Sequence, residues 1–119
     1  MLFIGKGGIK IQELANLFKI FCDSNRLKII FSLKNTQKSV SQIINDTGLS
    51  QPLVSFHLKV LRQANVVTTN RKGTFVFNEL SHSELIDFLE SFSEFSEGKI
   101  VTEKLFTGPN CKPPWAKED

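Results

Sequence analysis

The chain has 119 residues, 15 Lys/Arg against 12 Asp/Glu and a hydrophobic content of 40%. This is enough for one domain with a core, and too little for two. No apolar run approaches the ~20 residues of a membrane span. The N-terminus lacks the apolar core and cleavage pattern of a signal peptide, so the expected location is the cytoplasm. Two cysteines are too few for a disulfide framework.

The net charge of +3 conceals an uneven distribution. Residues 1–72 hold eleven Lys/Arg against three Asp/Glu, whereas residues 73–98 hold six acids and no Lys/Arg. A basic block of this kind is an electrostatic footprint for a polyanion. An enzyme is not expected, because the chain has no phosphate loop, nucleophile elbow or convincingly placed carboxylate pair.

In chain order, Gly5-Lys6-Gly7-Gly8 lacks the strand–loop–helix context of a phosphate site, so residues 1–8 read as a flexible arm. Leu14, Leu17, Phe18 and Phe21 recur at helical spacing and give an apolar stripe. Val40, Ile43 and Ile44 mark a short helix, and Gly48 stands where its C-terminus needs a left-handed residue. Ser50 can then cap a second helix, with Pro52 in its first turn. Val54, Leu58 and Leu61 form its buried stripe, and Gln51, Ser55, Lys59 and Arg62 form the opposite face. That face has hydrogen-bonding and cationic groups and no carboxylate, which suits a helix entering the DNA major groove.

Val66–Asn70 and Thr74–Asn78 are β-branched and aromatic runs joined by Arg71-Lys72-Gly73, which reads as a hairpin with two cations at its tip. A short helix, a tight turn, a polar-faced helix and a hairpin make a winged helix-turn-helix, mainly α with a small β-hairpin. Ser81 and Ser83 are both candidate caps for a last helix running to about Glu97. Leu85, Phe88, Leu89, Phe92 and Phe95 give it a wide aromatic stripe. The expected organisation is therefore an arm at 1–8, the winged helix-turn-helix at 9–98 and a tail at 99–119. The stripes of the first and last helices would form a homodimer core. Two recognition helices would then face an inverted repeat in double-stranded DNA.

Three separated segments resemble the ArsR-type repressors over roughly residues 12–97. Phe18–Ile30 looks like that family's leading segment, and Leu49–Leu61 is similar to its recognition helix. Asn65-Val66-Val67 stands where its "glycine-leucine-valine" leads into the wing. The resemblance implies a homodimeric winged-helix repressor. It implies that Gln51, Ser55 and Phe56 face the bases, although the family usually carries His or Arg at the position of Phe56. His57 matches a second family histidine and is expected to be structural. Lys59, Arg62, Arg71 and Lys72 are expected on phosphates, joined by Ser39 and Ser41.

The family's cysteine-pair metal box corresponds to Ser39 and Ser41, which cannot replace thiolates for soft metals. A second metal site of the family is reduced to His82-Ser83-Glu84 here, and neither a metal site nor a cofactor is expected. Cys22 and Cys111 remain as a candidate redox pair, with Cys22 expected to be partly buried near Arg26. The inducer stays unassigned. The alternatives are a metal-responsive repressor with a non-standard site, and a winged-helix protein-interaction module that does not bind DNA.

Overall fold

A computed structural model describes Gly8 and residues 10–97. Contacts divide the chain into two units, residues 1–86 and 87–119. The first holds α1 (Ile11–Phe21), α2 (Ser24–Ser32), α3 (Val40–Thr47), α4 (Gln51–Gln63), β1 (Val67–Lys72) and β2 (Phe75–Leu80). The division falls within α5 (Glu84–Ser96).

The segment Phe18–Ile30 spans the end of α1 and most of α2. The break lies at Cys22-Asp23, where the Asp23 carboxylate accepts from the backbone N–H groups of Asn25 and Arg26 at 2.8 and 3.3 Å. A capping carboxylate of this kind stabilises a helix start by about 1 kcal/mol. α2 then buries Ile29 and Ile30 completely, and Leu33 follows at 1% exposure.

α3 opens with a capping box. The Ser39 hydroxyl accepts from the Gln42 backbone N–H at 3.3 Å, and the Gln42 side-chain Oε1 accepts from the Ser39 N–H at 2.9 Å. Lys38 and Asp46 form an ion pair across this helix. The helix closes at Gly48, whose φ of 75° lets its N–H reach the Ile44 carbonyl at 2.9 Å. After one more residue, Ser50 starts α4 by accepting from the Leu53 N–H at 3.4 Å.

α4 ends in a Schellman motif. Asn65 takes the left-handed position with φ 60°, the Val66 N–H reaches the Leu61 carbonyl at 2.9 Å, and the Asn65 N–H reaches that of Arg62 at 3.0 Å. Asparagine tolerates this conformation better than most side chains. That explains how it can stand where the resemblance has glycine.

β1 and β2 form an antiparallel hairpin in which Lys72 opposes Phe75. The turn is therefore Gly73-Thr74, with Gly73 at φ 62°. A glycine at the first central position suits a two-residue type II′ turn. Arg71 and Lys72 are thus the last residues of β1, and the expectation that they lie in the loop is corrected.

Midway along β2, the hairpin gains a rung. Lys38 and Asn78 exchange backbone hydrogen bonds at 2.9 and 2.7 Å, and the Asn78 amide donates to the Lys38 carbonyl at 3.2 Å. The core gathers around Ile29, Ile30, Ile43, Val54, Leu58 and Leu61, all at 0% exposure. Val66, Val67 and Ile86 are also buried.

α1 contributes no buried residue. Ile11, Leu14, Leu17 and Phe18 are 39–51% exposed, and Phe21 is half-buried. In the second unit, Phe88, Phe92 and Phe95 are exposed by more than half and Leu89 is half-buried. Among the described residues, no helix is long and apolar enough to cross a membrane.

Candidate nucleic-acid interface

Helical geometry decides what α4 presents. Val54, His57, Leu58 and Leu61 are buried along one side. At about 100° per residue, Gln51, Arg62, Ser55 and Lys59 fall within an arc of about 80° that starts beside Leu58 and turns away from the core, and all four are exposed. Phe56 lies about 60° beyond Lys59 and is 58% exposed. The five side chains predicted to meet DNA from this helix therefore share one solvent-facing surface. Pro52, in the first turn, is also exposed.

The wing supplies a second set. Arg71 and Lys72 are exposed and, as neighbours in a strand, point to opposite faces. The Lys72 ammonium lies 5.7 Å from the centre of the Phe77 ring, which is itself 6.3 Å from that of Phe75. Phe75 is 66% exposed at the tip. Sequence reasoning gave no role to these two aromatics. The run Phe75-Val76-Phe77 is apolar on both faces, so alternation does not reveal which face is covered.

Ser39 and Ser41 lie at the start of α3. Ser39 serves as the N-cap described above, and Ser41 is exposed one residue into the helix. His57 is only 6% exposed, and its Nδ1 accepts from Arg26 Nε at 3.2 Å. Arg26 also donates from Nη1 to the Ile20 carbonyl in the last turn of α1 at 3.3 Å. Arg26 thus ties α1 to α4, a role that sequence reasoning missed because its partners lie six and thirty-one residues away.

The thiol of Cys22, expected to be partly buried, is exposed. As the C-cap of α1, Cys22 stands outside the packed surface of either helix, and its backbone N–H bonds the Lys19 carbonyl. Cys111 lies outside the described residues. His82 and Glu84, 3.8 Å apart, are both exposed. No group of three or more potential metal ligands occurs among the described residues.

A capped helix, a glycine turn, a polar-faced second helix and a hairpin bridged to the start of the motif define a winged helix-turn-helix regulator. The family profile described as "Bacterial regulatory protein, arsR family" matches residues 23–69. The transcriptional repressor SdpR of Bacillus subtilis is 34% identical over 80 residues, 67% of this chain and 89% of SdpR. The crystal structure of NolR from Sinorhizobium fredii superposes with a TM-score of 0.65 at 29% identity, over 71% of this chain and 85% of that one. The fold also matches a homodimeric winged helix-turn-helix DNA-binding domain of a possible ArsR-family regulator from Mycobacterium bovis. That match has a TM-score of 0.66 at 19% identity and covers 76% of this chain and 84% of the other. The chain belongs to the ArsR family. It is a DNA-binding transcriptional regulator and not an enzyme.

Proposed function

We propose that the protein is a sequence-specific homodimeric repressor that inserts α4 into the major groove of an inverted-repeat operator. The observation that carries this reading is the exposed face of α4, where Gln51, Ser55, Lys59 and Arg62 stand together without a carboxylate. Gln51, in the first turn, is suited to bidentate bonding with adenine, and Ser55 accepts either kind of partner. Lys59, Arg62, Arg71 and Lys72 fit phosphates, with Ser39 and Ser41 beside them at the start of α3.

The dimer reading rests on α1, an eleven-residue helix with no buried residue. Helices of that length are marginal in water without packing, and a second copy would cover Leu14, Leu17, Phe18 and Phe21. Leu85, Phe88, Leu89, Phe92 and Phe95 are proposed for the same interface. The Mycobacterium bovis domain, which is described as homodimeric, supports the same reading. Such a dimer sets two recognition helices about 34–36 Å apart.

The salt dependence of duplex binding tests the proposal. Four phosphate-facing cations in each of two protomers give an expected slope of about −7 in log affinity against log salt. A flat response, or no duplex binding at low salt, would favour the protein-interaction alternative that the exposed Phe56 suggests.

A second reading concerns the releasing signal. The exposure of Cys22 makes its thiol accessible to an oxidant or to Cys111. Operator affinity is expected to fall on diamide treatment of the wild type and to be unaffected in Cys22→Ser. Equal affinity of reduced and oxidised wild type would eliminate this reading.

A further inference from the structure

The contacts of Arg26, His57 and Phe56 form a connected path from α1 to the DNA-facing surface. Arg26 donates through two edges of one rigid guanidinium, Nη1 to the Ile20 carbonyl and Nε to His57 Nδ1. The planar fork fixes the angle between these two bonds. The buried imidazole is thus oriented by the bond that its Nδ1 accepts from Arg26.

Phe56 meets this ring edge to face, with centroids 5.2 Å apart and planes at 72°. Successive residues on a helix normally diverge, so this contact joins a buried ring to an exposed one. Phe56 remains 58% exposed while resting on a ring that is buried and hydrogen-bonded to Arg26.

We propose that Phe56 reads a thymine methyl group in the operator, and that Arg26 and His57 are positioning residues that set the angle of its ring. The inference rests on the repressor reading above. An aromatic ring has no donor or acceptor for base edges, but the major groove of a thymine offers one apolar group, its 5-methyl. A ring braced on one edge can meet that methyl without first losing rotational freedom. A loose one would lose that freedom on binding. The Phe56 position therefore adds base preference by apolar contact beside Gln51, which bonds through its amide. The brace also has a foot on α1, so the reading ring is mechanically tied to the helix proposed to pair with the second protomer.

The test uses the full chain and the duplex that it enriches from a random-sequence pool. Each thymine of that duplex is replaced in turn by uracil, which removes only the methyl. Wild-type affinity is expected to fall about fourfold at one position per half-site, the worth of one buried carbon. Phe56→Ala should abolish that discrimination, and Arg26→Lys and His57→Gln should each reduce it, read as the ratio of affinities for the thymine and uracil duplexes. In a Phe56→Ala background, Arg26→Lys should no longer alter affinity for the selected duplex, because the two act through one contact. The proposal is overturned if wild type binds thymine and uracil duplexes equally at every position. It is likewise overturned if Arg26→Lys and His57→Gln weaken both duplexes by the same factor, the mark of a merely structural role. Failure of wild type to bind any duplex would instead overturn the repressor reading itself.

Discussion

α1 and α4 have similar lengths and each carries an apolar stripe, yet their fates differ. α4 buries four residues in its own chain, and α1 buries none. The position of α4 is thus fixed by the protomer, which delivers its polar face to solvent in a defined orientation. Along the stripe of α1, Leu14, Leu17 and Phe18 keep 39–51% of their surface exposed. On the proposed reading the chain separates DNA recognition from assembly, and each helix is expected to fail in its own way when changed.

The comparison can be broken most severely at α4. Leu58→Ala removes a side chain with no exposure from the centre of the core. It is expected to lower stability by about 2–5 kcal/mol, as read from urea unfolding of the whole protein. On α1, Leu17→Asp should leave the winged unit folded by circular dichroism while weakening self-association about thirtyfold or more, the effect of a single interface hot spot. Sedimentation equilibrium would measure this, and an unchanged association constant would remove α1 from the dimer interface. The mildest change is Gln51→Ala on the face of α4. It should reduce affinity for the selected operator roughly tenfold, within the range for one bidentate base contact. Affinity for competitor DNA and the melting temperature should not move. Equal losses on both DNAs would reassign Gln51 to a non-specific role.

The parts that were legible in the sequence are those written locally. Ser50, Pro52 and the spacing of Val54, Leu58 and Leu61 announced α4, and Gly48 announced the turn before it. The break between α1 and α2 was less visible, because Phe18, Ile20 and Phe21 lead into Leu27, Ile29 and Ile30 with little change in composition. Asp23 was the available signal, as a capping residue ahead of a helix. Residue types alone place the cations of the wing in a loop, because they do not give its length. Only pairing, Lys72 opposite Phe75, shows that Gly73-Thr74 makes the whole turn. The partner of His57 was out of reach of any local pattern, since Arg26 lies thirty-one residues away. Its structural character, however, was expected from its place beside Leu58.

The rung between Lys38 and Asn78 makes the wing a cantilever. The hairpin is clamped level with Thr69, the partner of Asn78, and projects three further residues to Lys72. At about 3.4 Å per residue that overhang is about 10 Å, so a tilt of about 6° at the clamp moves the tip by about 1 Å. The clamp is fastened to the residue just before the capping box of α3. Any rotation of α3 is therefore passed on, magnified, to Arg71 and Lys72, and the wing keeps its aim only while the helix-turn-helix keeps its own.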